Sequence, residues 1–92
     1  MKQMVRVRVK LYATLARSAA GAVLAQYPEG LRPGDPLELE MPMGSTLADL
    51  VAYLALPQEQ VKVSFVNGRA QGLDYGLKPG DEIGIFPPIG GG

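Results

Sequence analysis

The feature that most constrains the fold is a strict two-residue alternation near the start of the chain. Across residues 4–12, valines and a leucine occupy every second position, and basic residues occupy most of the positions between them. That period puts the apolar side chains on one face of a β-strand and the charged ones on the other. We therefore predict a half-buried strand, which needs a sheet and an apolar layer over its inner face.

A second alternating segment complements the first. Residues 37–41 alternate leucine or methionine with Glu38 and Glu40, so the exposed row of this strand is acidic where that of the first strand is basic. Opposite charges across neighbouring strands stabilise a pair by about 0.2–1 kcal/mol. We predict that the two strands pair antiparallel with their apolar faces on the same side. The basic row from Arg6 to Lys10 is then a solvated, paired face, which we favour over a docking site for an acidic partner.

One segment has the pattern of a strong helix. Thr46 and Asp49 have capping-box spacing, with aspartate in place of glutamate, and Ser45 is a competing N-cap. Apolar residues follow at helical spacing within residues 47–54. Pro57 then ends the helix.

The second half of the chain predicts further strands at residues 61–66, 69–71 and 82–86. Asn67-Gly68 is the strongest short hairpin signal and joins the first two of them. Alternation predicts these residues to face inward: Val61, Val63, Phe65, Ile83 and Ile85. By the same alternation, Val66 and Phe86 face outward.

This order of elements predicts an α+β fold in one domain. The helix packs on one face of a mixed sheet of four or five strands, and the first and last strands pair in parallel at its centre. That arrangement is the ubiquitin-like β-grasp. The alanine-rich segment from Ala13 to Tyr27 predicts a short helix or a turn, followed by a surface loop up to residue 36. We expect residues 1–86 to form the domain and residues 87–92, here called the tail, to be flexible.

Composition excludes several function classes. The chain has 92 residues, no cysteine and no histidine, which removes thiolate catalysis, cysteine-based zinc sites and the usual general base near neutral pH. Its net charge of zero argues against a nucleic-acid or anionic-membrane surface. No secretory signal or membrane span is evident. We expect a cytoplasmic protein that performs no acid–base catalysis itself.

The tail carries the one distinctive chemical group. Its sequence is Pro87-Pro88-Ile89-Gly90-Gly91-Gly92. The prolines favour an extended path, and glycines can thread a narrow channel. The terminal carboxylate is ionised at neutral pH and must be activated before it can act as an acyl donor. No ATP-binding motif is present in the chain, so a partner enzyme must supply the activation. A frayed terminus is the alternative, which the preceding β-grasp pattern disfavours.

Three segments together resemble the ubiquitin-like sulfur-carrier family, specifically the small subunit of molybdopterin synthase and the related thiamine-pathway sulfur carrier. They are Phe65-Val66-Asn67-Gly68, Leu77-Lys78-Pro79-Gly80-Asp81-Glu82 and Ile85-Phe86-Pro87-Pro88 with the glycines that follow. The first strand is also similar, whereas the segment of residues 16–36 is longer and richer in proline than is usual in the family. Phenylalanine followed by two prolines is the more specific element. The third terminal glycine departs from the Gly-Gly end of the family.

The resemblance implies a carrier with no catalytic side chains and no bound cofactor. An adenylating enzyme homologous to the ubiquitin-activating enzyme would use ATP and magnesium on Gly92, and a sulfurtransferase or cysteine desulfurase would then leave a thiocarboxylate there. The tail would insert into the large subunit of molybdopterin synthase, with Gly91 and Gly90 in its active site. We expect the partner-contact residues to be Val66, Phe86, Pro87, Pro88, Ile89 and Gly90.

Three alternatives remain open at this point. The chain could carry sulfur for thiamine or another metabolite, or it could modify proteins by attachment of Gly92 to lysines. It could also be an interaction module whose tail has no chemistry. The sulfur carriers and the protein modifier share the adenylation step, so the tail sequence does not separate them.

Overall fold

A computed structural model of the protein describes residues 3–12, 15 and 34–88. The elements are β1 (Met4–Leu11), β2 (Pro36–Pro42), α1 (Leu47–Tyr53), a 3₁₀ turn (Gln58–Gln60), β3 (Val63–Val66), β4 (Arg69–Gln71) and β5 (Glu82–Phe86). The predicted helix within residues 13–27 lies outside the described residues, apart from Leu15, which is fully buried. The last four residues of the tail also lie outside them.

The predicted pairing of β1 with β2 is confirmed. The strands run antiparallel, with Arg6 opposite Glu40 and Arg8 opposite Glu38. Both cross-strand ion pairs have a nitrogen–oxygen distance of 3.8 Å. All four side chains are at least half exposed, so water screens each pair and its contribution is below about 1 kcal/mol. The charges therefore specify the strand register more than they stabilise the fold.

The described strands form one sheet in the order β2-β1-β5-β3-β4. β1 and β5 are parallel, whereas β3 is antiparallel to both β4 and β5. The predicted β-grasp topology is confirmed. Its consequence for function is that β5, the last strand, lies in the middle of the sheet and not at an edge.

Helix α1 begins with the predicted capping box. The Thr46 hydroxyl accepts a hydrogen bond from the Asp49 amide at 3.3 Å, and the Asp49 carboxylate accepts one from the Thr46 amide at 2.9 Å. Thr46, and not Ser45, is the N-cap. The helix buries Leu47, Leu50 and Val51 against the inner face of the sheet in a single hydrophobic core.

The side-chain phase predicted for β3 is wrong. Val66 is only 3% exposed and belongs to the core, whereas Val63 and Phe65 are half-buried. The reason is the register with β5, in which Val66 lies opposite the inward-facing Ile83, and residues directly opposite each other share a face. Ser64, a polar residue on the inner face, obscured the alternation.

Candidate functional site

The candidate site lies where the chain leaves the centre of the sheet. The Ile85 carbonyl accepts a hydrogen bond from the Tyr12 amide at 3.1 Å, and the Phe86 carbonyl accepts one from the Lys62 amide at 2.9 Å. Strand β5 is therefore bonded to both of its neighbours up to its last residue. Pro87 and Pro88 follow, and because proline has no amide hydrogen the ladder ends there.

Three aromatic side chains from three strands or strand ends surround this exit. The rings of Tyr12 and Phe86 stack with centroids 4.3 Å apart and planes within 2° of parallel. The Phe65 and Phe86 rings form a T-shaped pair, with centroids 5.6 Å apart and planes at 87°. We call these residues the aromatic cluster. Each such ring pair contributes about 0.5–1.5 kcal/mol beyond its buried area, so the root of the tail is held in one position.

Gly84 makes the stacked arrangement possible. A Cβ atom at this position would lie 3.3 Å from Cε2 of Tyr12 and 3.5 Å from Cε1 of Phe86. A larger side chain at this position would therefore collide with both rings. Glycine in a strand often marks such a place, where other groups approach the backbone closely. The missing side chain leaves room for both rings on the outer face of the sheet, the face opposite the core.

The aromatic cluster borders a shallow depression of about 240 Å³ on the outer face. Arg8 and Lys10 from β1 and Glu82 from β5 form part of its wall. Arg8 is also the ion-pair partner of Glu38. The surface thus combines aromatic rings with two cations and one acid. It suits recognition of another molecule.

A buried carboxylate organises the loops at the other end of β5. Asp81 is 4% exposed and accepts hydrogen bonds from Asn67 Nδ2 at 3.0 Å, from the Tyr75 hydroxyl at 3.0 Å and from the Lys78 amide at 2.9 Å. Desolvation, together with the hydrogen bond and charge of Asp81, raises the pKa of Tyr75 above its ordinary value of 10.0. Asp81 therefore holds together the loops at the start of β5.

The structure brings some of the predicted site residues together and separates others. Phe86 lies on the face opposite Ile83 and Ile85, as predicted, and it is half-buried. Pro87 is half-buried and Pro88 is exposed. Val66 lies in the core and is removed from the set of partner-contact residues. The remaining predicted site residues, Ile89, Gly90, Gly91 and Gly92, lie outside the described residues.

Sequence reasoning missed two members of the aromatic cluster. Tyr12 was assigned only to the first strand, and Phe65 was predicted to face inward. The aromatic pairing could be found only from the sheet order, because β5 brings Phe86 between a β1 residue and a β3 residue.

The described residues contain neither a cluster of metal ligands nor a membrane-spanning helix. In residues 3–12, 15 and 34–88, no group of three or more acidic side chains lies close enough together to hold a metal ion. Within the same ranges, no helix has the length and apolar character needed to cross a membrane.

Comparison with known protein families gives one match. The model described as "ThiS family" matches residues 23–92, which is most of the chain. None of the curated protein sequences matches significantly.

Solved structures with the same fold include a putative molybdopterin converting factor subunit and a small archaeal modifier protein. A putative molybdopterin converting factor subunit 1 from Pyrococcus furiosus is 29% identical, with a TM-score of 0.61, and the match covers 92% of this chain and 99% of that one. SAMP1 from Haloferax volcanii is 24% identical, with a TM-score of 0.62, and the match covers 95% and 99%. A second structure of H. volcanii small archaeal modifier protein 1 is 20% identical, with a TM-score of 0.64 and coverage of 92% and 99%. These likenesses agree with the observed β-grasp topology.

Proposed function

This chain belongs to the ThiS family of ubiquitin-like sulfur carriers, and from that premise we propose that it carries sulfur on Gly92 for molybdopterin biosynthesis. A partner enzyme uses ATP and magnesium to adenylate the Gly92 carboxylate, and pyrophosphate leaves. The persulfide of a sulfurtransferase or cysteine desulfurase then attacks the activated carbonyl carbon and AMP leaves. A second thiol reduces the sulfur–sulfur bond of the resulting acyl disulfide. The product is a thiocarboxylate, which the large subunit of molybdopterin synthase consumes in the cytoplasm.

The observation that carries this proposal is the position of the tail root in the sheet. Hydrogen bonds from both neighbouring strands fix β5 through Phe86, and the tail starts at the next residue. Six extended residues reach at most about 20 Å. A tail of that reach can enter the active site of a partner while the domain remains outside it. The fixed root and the reach of the tail together suit a carrier whose reactive group must visit several enzymes.

The outer face next to the root is suited to docking those enzymes. The aromatic cluster is half-buried, so it retains apolar surface that a partner can cover. Aromatic side chains are enriched at the centres of protein interfaces. The depression beside the cluster, walled in part by Arg8, Lys10 and Glu82, adds charged groups at the rim. We propose that Phe86, Pro87 and Pro88 lie in this interface, and that Ile89, Gly90 and Gly91 follow into the partner's active site.

Two observations favour molybdopterin over the other sulfur products. The P. furiosus protein, with 29% identity, is described as a putative molybdopterin converting factor subunit. The segment Phe86-Pro87-Pro88 before the glycines is the sequence element that most resembles the molybdopterin synthase small subunit. The H. volcanii modifier proteins are less than 25% identical, so they support the fold and carry no preference for protein modification.

A reconstitution with purified components tests the proposal. The chain is first incubated with its activating enzyme, ATP, magnesium and a sulfur donor. It is then divided between the large synthase subunit with the pterin precursor, and a thiazole synthase with its substrates. We expect the dithiolene product in the first reaction only. Product in the second reaction alone, or lysine-linked conjugates without either product, would contradict the proposal.

A further inference from the structure

The turn between β3 and β4 contains a chemically labile dipeptide that the proposed function does not use. Asn67 and Gly68 form this turn, with φ values of 53° and 85°, and both residues are exposed. Asn67 is the sole asparagine in the sequence. When glycine follows asparagine, no side chain shields the glycine nitrogen, so that nitrogen can attack the asparagine side-chain carbonyl.

The folded protein restrains this asparagine at every polar atom of its side chain. Asn67 Nδ2 donates to a carboxylate oxygen of Asp81 at 3.0 Å, and Asn67 Oδ1 accepts from the Glu82 amide at 3.0 Å. The Asn67 amide also donates to the Glu82 carbonyl at 2.8 Å. Rotation of the side chain towards Gly68 would break the first two bonds. Because Asp81 is buried, its carboxylate would also lose a partner where water does not replace it readily.

We propose that Asn67 is a latent deamidation site, which the hydrogen bonds to Asp81 and Glu82 keep unreactive while the β3–β4 turn is closed. In the reaction, the Gly68 nitrogen forms a bond to Asn67 Cγ and the Cγ–Nδ2 bond breaks. The proton lost from the Gly68 nitrogen passes to the departing group, which leaves as ammonia. Water then opens the cyclic imide at either carbonyl and gives aspartate or isoaspartate. Water is the only co-reactant, and nothing is oxidised or reduced.

Deamidation of Asn67 would destabilise the β3–β4 turn, whose hydrogen bonds keep the asparagine unreactive. Deamidation replaces a donor, Nδ2, with a carboxylate oxygen at the position 3.0 Å from the Asp81 carboxylate. Two negative oxygens at that distance repel each other, and the repulsion is strong where one of them is shielded from water. Gly68 and Glu82 also line the depression on the outer face. The modification is therefore expected to disturb the surface beside the aromatic cluster as well as the turn.

A comparison of rates in the intact chain tests the inference. The full chain is incubated near pH 8 under native conditions and in urea, and the gain of one mass unit is followed by intact mass and localised by peptide mapping. We expect deamidation in the native protein to be slower by about tenfold or more, since reaction then requires local opening of the turn. Equal rates in the two conditions would overturn the proposal.

Three variants separate the specific restraint from folding in general. Asp81→Ala, checked for a native circular dichroism spectrum, is expected to deamidate faster than the wild type under native conditions. The matched control is Tyr75→Phe, which removes a different donor to Asp81 and is expected to leave the rate within about twofold of wild type. A folded Asp81→Ala protein with the wild-type rate would contradict the inference.

The third variant, Asn67→Asp, mimics one product of deamidation. Its stability tests the contact between residues 67 and 81 even if Asp81→Ala does not fold. Its stability deficit relative to wild type should shrink as the pH falls from 7 to 4, because protonation of either carboxyl relieves the repulsion. A deficit that does not change with pH would show that the two carboxylates do not interact. None of these readouts depends on sulfur transfer, so they are independent of the proposed function.

Discussion

Phe86 is half-buried, with its ring stacked on that of Tyr12 and in a T-shaped pair with Phe65. The same side chain therefore stabilises the sheet and, in the proposed function, offers surface to a partner. A substitution at Phe86 alone would mix the two effects. Tyr12 is a better probe of the stabilising part, because it contacts Phe86 but belongs to a different strand end.

Replacement of Tyr12 with alanine should lower the free energy of unfolding by about 1–2 kcal/mol, from the lost ring contact and apolar burial. The measurement is urea unfolding followed by circular dichroism. Tyr53→Ala is the control, because that tyrosine is 42% exposed at the end of α1. Its substitution should cost less than about 0.5 kcal/mol. Equal losses for the two variants would contradict the importance of the stack.

The corrected phase of β3 gives a second test at the scale of one residue. Val66→Ala should cost about 1–3 kcal/mol, since it leaves a void in the core. Val63→Ala, on the opposite face of the same strand, should cost clearly less. Urea unfolding of both variants gives the comparison. A larger loss at Val63 would restore the original prediction that Val63 faces inward.

The raised pKa of Tyr75 predicts a specific response to alkaline pH. A raised pKa in the folded state means that the contribution to stability is fully present below the ordinary pKa of 10.0. It is lost as the pH rises through the higher folded value. The wild type should therefore lose stability as the pH rises above 10.0, and Tyr75→Phe should lose less. Tyr53→Phe is the matched control, which should follow the wild type in urea unfolding at each pH.

At the scale of the element, the capping box of α1 is the most local determinant of structure. Thr46→Ala should reduce the free energy of unfolding by about 1 kcal/mol, because the N-cap hydroxyl satisfies a helix amide. Thr46→Ser retains a hydroxyl and should lose much less. The two variants are compared by urea unfolding. If alanine and serine behave alike, the cap does not contribute to stability.

The elements also show which parts of the fold the sequence could predict. β1 and β2 alternate over seven or more residues, long enough for the period to identify the buried face, and their charges identified the pairing. β3 has four residues with a polar Ser64 facing inward, so its phase depended on the register with β5. The capping box was predictable because its two residues are three apart in the chain.

The candidate site was only partly predictable for the same reason. The tail and Phe86 were identified from neighbouring residues. The stack of Tyr12 on Phe86 and the bond from Asn67 to Asp81 join residues far apart in sequence. Contacts of that kind follow from strand order and leave no periodic signal in a single sequence.

At the scale of the whole molecule, the parallel pairing of β1 with β5 determines where the tail starts. It places the last strand at the centre of the sheet, so the tail starts beside the aromatic cluster and away from either sheet edge. In the proposed function the domain acts as a support, and the chemistry depends on the terminal glycine. Deletion of Gly92 should therefore prevent activation while it leaves the unfolding curve unchanged.

The most direct test of this account is the intact mass of the chain purified from cells that contain its activating enzyme and sulfur donor. Replacement of the terminal hydroxyl by a thiol adds about 16 Da. Methionine oxidation adds a similar mass, but residues 70–92 contain no methionine, so a peptide from that region distinguishes the two. We predict the added mass on this peptide and its absence after deletion of Gly92. An unmodified terminal peptide, with active partner enzymes present, would contradict the proposed function.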